Sequence, residues 1–451
     1  MYRQQQWVER LANRRILIAG YGREGKSTHA LVGQLAPTAE VTVAANDQEA
    51  IALMDTARAK GTQYDMVFKS PGIPTMKLEG HCDRETITSQ TDLFLQIYGD
   101  QTIAVTGTKG KSTTTKLIAH VLSTALSDGR KTILAGNIGI PLFDIAPELD
   151  DHSIVVAELS CHQLENIHRG PRTGVLLNLF PEHLDHYRDY RDYELAKMQM
   201  VLRQGAGDVC IVNTDSKDLR TLCHELEDRI RSTVHYYSGR QADQLLGAVP
   251  SALQGSHNRA NTYAAWLAAG LQGVTFERFT EALASFQPLP HRLERVGTYG
   301  GITFYNDSIS TIPQATIAAV ETLERVDTLI VGGMDRGIDY GALVQYLAHP
   351  TRAGSQISNV AFVGQAGRRI HDDLARLPDR PLDRMNALLL SDDYRVIVSW
   401  CFEHTAAGKI CLLSPAAASY DGFENFEERG NTFKSLIRSM GGSAMDATSE
   451  K

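Results

Sequence analysis

Short apolar runs recur along this 451-residue chain, each ending at a turn and followed by a stretch with helical spacing. Runs at 15–19, 41–45 and 66–68 come first, then 102–105, 132–134, 154–157, 175–178 and 209–213. A third series lies at 302–307, 328–331, 360–363 and 410–413. Such runs read as strands of parallel sheets buried on both faces by helices. The helical period is clearest over 115–126, where Leu117, Ile118, Val121, Leu122 and Leu126 share a face. Further helices are predicted over 27–35 and 190–204, from 255–261 through Ala264, Ala265, Leu267 and Ala268, and from Pro313 onward. The alternation predicts an α/β protein of three consecutive units, 1–99, 100–289 and 290–451. Pro288-Leu289-Pro290 reads as a hinge, 240–255 as less regular, and the residues from Gly441 as a loose tail.

One strand-to-helix turn organises the rest. Val105-Thr106-Gly107-Thr108-Lys109-Gly110-Lys111-Ser112-Thr113 joins the strand at 102–105 to the helix behind it. Strand, glycine loop and helix in that order make a phosphate cradle, because backbone N–H groups and the helix N-terminus both face an anion. Lys111 is placed to neutralise β- and γ-phosphates, and the hydroxyl of Ser112 or Thr113 to hold Mg²⁺. The strict pattern G-x-x-x-x-G-K-[ST] nevertheless fails here, since Val105 stands where it requires glycine. It matches instead at Gly20-Tyr21-Gly22-Arg23-Glu24-Gly25-Lys26-Ser27, where it overlaps G-x-G-x-x-G.

Other polar residues gather at predicted strand ends. Asp47 lies about 20 positions past the first glycines, at the tip of the next strand, as in a Rossmann-like nucleotide site. Lys69-Ser70-Pro71-Gly72-Ile73-Pro74 follows the third strand. Glu158 ends the run 154–157 and suits Mg²⁺, bound directly or through water. His183 and Asp185, after the run 175–178, are candidate metal ligands, while Lys197 in mid-helix reads as a solvated side chain. Asn258 and Asn261 lie one helical turn apart, so both amides can serve one purine edge.

Composition narrows the class. A net charge of −8 leaves no basic excess for nucleic acid. The six cysteines show no C-x-x-C spacing, so neither zinc nor a disulfide framework is indicated. No apolar run approaches the length of a membrane span, and residues 1–15 lack an apolar signal core. A cytoplasmic protein without membrane insertion is the expectation.

Taken together the motifs resemble those of the Mur ligases of peptidoglycan synthesis, and among them the branch that adds glutamate. The likeness runs through Gly20 to Gly25, Ser70 to Pro74, Thr106 to Thr113, Gly136-Asn137-Ile138-Gly139 and Glu158 to Leu164. It continues through Asn178 to Tyr187, Lys197, His257 to Asn261, His291-Arg292, Asn306-Asp307-Ser308, Gly332 to Gly337, and Leu413 through Gly430. The resemblance implies three α/β domains: a Rossmann-like UDP-binding domain, a central P-loop ATPase domain and a Rossmann-like C-terminal domain. It also resolves the two loops. The family's ATP loop has the form T-G-T-x-G-K-[ST]-T, which is Thr106 to Thr113, so Lys26-Ser27 is an accidental match.

The implied reaction joins glutamate to UDP-N-acetylmuramoyl-L-alanine through an acyl phosphate made from ATP, by a monomeric enzyme. ATP contacts are then Gly107, Thr108, Lys109, Gly110, Lys111, Ser112, Thr113, Asn258, Asn261, Arg292 and Asp307. Two Mg²⁺ ions fall to Ser112, Glu158 and His183, with Lys197 as a carbamate, which reverses the solvated reading of that lysine. UDP-substrate contacts are Gly22, Arg23, Glu24, Asp47, Gly72 and Asn137, and amino-acid contacts are Thr311, Arg336, Ser419 and Phe426. The chain departs from the family at Cys161 and His162, and at Ile309, where the family carries a lysine of the amino-acid pocket. D-glutamate is the family default, and the pattern at Ile309 is similar to a variant branch that uses L-glutamate. Three further alternatives stand beside it: another Mur or folylpolyglutamate-type ligase, a nicotinamide oxidoreductase resting on the Gly20 fingerprint and Asp47, and a non-catalytic nucleotide-binding regulator.

Overall fold

The computed structural model describes residues 2–182, 186–251, 253, 255–287, 290–323, 325–349, 357–390 and 393–446. Within these the apolar runs form three sheets. The first contains β1 (Arg15–Ala19), β2 (Glu40–Ala44), β3 (Met66–Lys69) and β4 (Ile87–Thr88), all parallel in the order β2-β1-β3-β4. The second contains β5 (Thr102–Thr106), β6 (Lys131–Gly136), β7 (Ser153–Glu158), β8 (Thr173–Leu176), β9 (Val209–Asn213) and β10 (Thr233–Tyr237). It is parallel throughout, in the order β10-β9-β8-β5-β7-β6. The third contains β11 (Glu294–Tyr299), β12 (Ile302–Asn306), β13 (Val326–Gly332), β14 (Asn359–Val363), β15 (Asn386–Leu390) and β16 (Ile410–Leu413). Its order is β11-β12-β16-β13-β14-β15, with only the hairpin β11–β12 antiparallel.

The chain divides into two compact units, Met1–Gln287 with the first two sheets and Pro288–Lys451 with the third. The central strands β5, β7, β13 and β14 are buried along their whole length, as helices on both faces require. In the first unit the apolar faces of two sheets meet in one core, where Trp7, Ile18 and Phe68 join Ala104, Val155 and Leu176. The predicted hinge lies partly outside the described residues, at 288 and 289.

Several elements depart from the pattern, each for a physical reason. The helix predicted over 115–126 begins earlier, at Lys111, and runs to Ala125. Its first turns escaped the apolar pattern because Ser112, Thr113, Thr114 and Thr115 are buried polar residues behind the phosphate loop. The run at 175–178 is shifted two residues, since β8 ends at Leu176 and Asn178 leaves the ladder to bind the loop. Strand β10 carried no apolar signal because it is a largely exposed edge. The segment read as less regular holds a helix, Gly239–Leu246, opened by a capping box between Ser238 and Gln241. The predicted tail is helical as far as Asp446.

Candidate active site

The phosphate loop leaves β5 at the centre of the second sheet, beside the carboxyl ends of β7 and β8, where open α/β sheets bind ligands. Gly110 is left-handed with φ of 85°, and a Cβ there would come within 2.7 Å of Asn261 Nδ2. Only glycine therefore lets the helix Ser256–Gly270 press an amide against the loop. Asn178 clamps the other side: its Oδ1 accepts from Lys109 N at 2.8 Å and its Nδ2 donates to Lys109 O at 3.0 Å. Thr108 Oγ1 lies 2.7 Å from the buried Tyr193 hydroxyl.

Lys111 folds back along its own loop and donates to Gly107 O at 3.0 Å and Thr108 O at 2.9 Å. Burial lowers its pKa, and Glu158 pulls the other way. Glu158, at the tip of β7, is 1 % exposed. Its Oε1 accepts from Asn137 Nδ2 at 2.7 Å, while Oε2 is buried and meets no donor among the described residues. A buried carboxylate oxygen left in this state asks for a cation. Ser112, at the start of the loop's helix, supplies a hydroxyl, and one carboxylate with a hydroxyl and substrate phosphates is a donor set that Mg²⁺ takes. The residues therefore fit that ion. No cluster of three or more His, Cys, Asp or Glu suited to a metal occurs among the described residues, and His183 and Asp185 lie outside them.

Lys197 is not solvated. It is 1 % exposed, its Nζ donates to Gly107 O at 3.0 Å, and it stands 5.0 Å over the Tyr193 ring. Burial, reinforced by the Lys111 charge, lowers its pKa to about 7.

The first loop has a different construction. Lys26 points outward, and Ser27 donates to Asp144 instead of lining a cradle. Arg23 donates to the carbonyls of Asn137 and Gly139, both at 3.2 Å, and Glu24 Oε1 accepts from Gln163 Nε2 at 2.6 Å. Burial raises the Glu24 pKa. Asp47 begins the helix Asp47–Ala59 and pairs with Lys77. Gly72 lies exposed in the loop after β3. Gly22, Arg23, Glu24 and Asn137 are thereby brought to one edge of the phosphate-loop site.

One cluster there has no sequence signal. Buried Lys69 bonds Glu165 at 2.9 Å and Ile73 O at 2.8 Å, and Glu165 also accepts from Thr75 N at 3.4 Å. The His186 ring is 3.7 Å from the same carboxylate and 4.1 Å, centroid to centroid, from His162. Lys69 and Glu165, 96 residues apart, leave no spacing to read.

In the second unit, the remaining candidates lie near the carboxyl ends of β12, β13 and β16. Asp307 accepts from Leu293 N at 3.1 Å and Ser414 Oγ at 2.8 Å, and burial raises its pKa to about 6. Arg292 Nε is buried and meets no acceptor among the described residues. Thr311 is half-buried, Arg336 exposed, Ser419 buried, and Phe426 half-buried at the start of the last helix. Arg429, one turn further on, is 1 % exposed and bonds the loops that carry Thr311 and Ser419.

Known proteins place this geometry. Residues 105–269 match the family model for the Mur ligase middle domain. A UDP-N-acetylmuramoylalanine–D-glutamate ligase of Salinibacter ruber is 31 % identical, over 94 % of this chain and 98 % of its own. A UDP-N-acetylmuramoyl-L-alanine–L-glutamate ligase of a Micromonospora species is 33 % identical, over 96 % and 98 %. The MurF ligase of Thermotoga maritima, solved with ADP, shares the fold at a TM-score of 0.55 and 15 % identity, over 96 % of this chain and 97 % of its own. With likeness over nearly the whole length of such relatives, and the phosphate loop, Glu158 and buried Lys197 assembled at one sheet end, the chain belongs to the Mur ligase family.

Proposed function

We propose that this chain is an ATP-dependent ligase that forms an amide between the alanyl carboxylate of UDP-N-acetylmuramoyl-L-alanine and the amine of D-glutamate. The observation that carries the reading is the pairing of the phosphate loop with the unpartnered Glu158 carboxylate oxygen, in a chain whose full-length relatives are glutamate ligases. A carboxylate is a poor electrophile, so the alanyl oxygen first takes the γ-phosphoryl group of ATP and ADP leaves. The glutamate amine then adds to the acyl phosphate, and the tetrahedral intermediate expels phosphate with loss of a proton from nitrogen. Phosphoryl transfer of this kind depends on positioning and charge neutralisation more than on covalent help.

The chain's own groups divide that work. Lys111 leaves its two loop carbonyls for the phosphate oxygens, and the N–H groups at the start of its helix receive the same anion. Glu158 and Ser112 hold Mg²⁺, with His183 as a further ligand. Bound there, Mg²⁺ neutralises charge across the β- and γ-phosphates. Asn258 and Asn261 serve the base of ATP, and Arg292 and Asp307 are further ATP contacts. Gly22, Arg23, Glu24, Asp47, Gly72 and Asn137 receive the UDP-substrate, and Thr311, Arg336, Ser419 and Phe426 the amino acid. Lys197 serves as a carbamate. A buried amine with a pKa near 7 is substantially neutral in the cell and able to add CO₂, and the resulting anion sits beside Lys111.

Phosphate release tests the reading. UDP-N-acetylmuramoyl-L-alanine, ATP and D-glutamate together should give turnover, and omission of any one should abolish it. L-glutamate, substituted at equal concentration, should be used at least tenfold less well. Equal or reversed use would assign the pocket around Ile309 to the other enantiomer and leave the ligase reading intact.

A further inference from the structure

We propose that Arg429 is a positioning residue that orients the Ser419 peptide toward a carboxylate of the acceptor amino acid, an inference resting on the ligase reading above. Its guanidinium is 1 % exposed, yet it makes no ion pair among the described residues. Nε donates to Ser308 Oγ at 2.9 Å, Nη1 to Ala418 O at 3.2 Å, and Nη2 to Ser308 O at 2.8 Å and Ala417 O at 3.1 Å. All four of its hydrogen bonds go to neutral acceptors, with the Asp421 carboxylate acting on the charge only from beyond contact distance, and a buried cation held in this way is kept where it sets backbone geometry.

The geometry set here joins three strand-end loops of one sheet. Ser308 follows β12, and its Oγ donates in turn to Phe426 O at 2.8 Å. Ala417 and Ala418 follow β16, beyond Ala416, which is held left-handed at φ of 56° and donates to Ser310 O at 2.9 Å. Gly333 follows β13, and a Cβ there would come within 2.3 Å of Ala418 O and 3.1 Å of Arg429 Nη1. Ala418 O also accepts from Met334 N at 3.0 Å. With that carbonyl fixed by two donors, the trans peptide turns the Ser419 N–H to the opposite side. There it meets no acceptor among the described residues, although Ser419 is only 3 % exposed. Buried N–H groups without acceptors are rare. This one lies beside the Ser419 hydroxyl, so the pair forms a two-donor seat for one carboxylate. Thr311, three residues past Ser308, lies on a segment that the same guanidinium holds, and Phe426 is tied to that segment through the Ser308 hydroxyl.

The experiment has two arms on the full-length enzyme. Hydrogen exchange without substrates compares the wild type with Arg429→Lys, which keeps the charge and loses the planar fork. Peptides covering 307–312 and 415–420 should exchange faster in the variant, while those covering 105–115 stay unchanged. Steady-state kinetics of the same variant should show the KM for glutamate raised about tenfold or more, with those for ATP and the UDP-substrate within about twofold. Ser308→Ala, a milder change, should shift both readouts in the same direction and keeps the test open if Arg429→Lys folds poorly. Unchanged exchange at both peptides, or parallel rises in all three KM values, overturns the positioning role. A wild-type enzyme that turns over with no glutamate would instead defeat the ligase reading, and the exchange arm still decides whether Arg429 orders these loops.

Discussion

Lys197 shows how far an environment can redefine a residue. Mid-helix lysines normally extend into water, but this one ends against a carbonyl of the phosphate loop and titrates near 7. Its folded pKa lies below the ordinary value, so the neutral amine, the form able to add CO₂, grows in as pH rises through about 7. Carbon-13 NMR with labelled bicarbonate should show a carbamate signal that strengthens between pH 6 and 8 and is absent from Lys197→Ala. That variant should be nearly inactive and partly rescued by formate or acetate; full activity without rescue would remove the carbamate. Lys111→Ala should lower kcat roughly 100-fold or more, the scale of a lost electrostatic contact to a transition state. Calorimetric binding of the UDP-substrate should survive that change, because the two glycine loops are separate structures. Near-normal turnover would mean that Lys111 is not the phosphate lysine.

Among the elements, the short helix Cys161–Leu164 and the residues just after it do more than their length suggests. Glu165 there ties Lys69 at the end of β3, and Thr75 beyond the following loop, to the stretch beginning at His186. Burial alone would raise the Glu165 pKa, yet the His186 contact and the Lys69 charge and hydrogen bond hold it at about 2. A carboxyl whose folded pKa is depressed stabilises the fold above its unfolded pKa, and that contribution is lost as pH falls from about 4.5 toward 2. Glu165→Gln should therefore lose about 1–3 kcal/mol at pH 7, the cost of leaving a buried lysine without its anion. Urea titrations should find the gap between variant and wild type narrowing across that acidic window. A constant gap would place the effect in packing.

For the whole molecule, the two compact units each carry their own apolar cores, so heating should resolve two transitions in place of one. The UDP-substrate at about 100 times its Kd should stabilise the unit that binds it by about 2.7 kcal/mol. Scanning calorimetry should then show one transition moving and the other holding. A single transition that moves as a whole would show that the units unfold together.

Much of this was legible in the chain itself. Continuous apolar runs with glycine turns determined a parallel α/β architecture, because only strands covered on both faces tolerate such runs. The glycine loop was legible for the same kind of reason: its backbone geometry is encoded in adjacent residues, with Gly110 left-handed and Lys111 folded back on the loop within one turn. The resemblance, not the spacing, separated that loop from the strict match at Gly20, where the fold ties Ser27 to Asp144 and leaves Lys26 exposed. Strands such as β10 left no trace because an exposed edge needs no apolar run. What tertiary structure alone decided is which distant groups meet in the dry interior. Lys69 finds Glu165, Lys197 finds Gly107, and Arg429 finds three carbonyls on two loops. Burial then sets whether each is charged and whether a neighbour is left seeking a partner, and burial belongs to the folded chain.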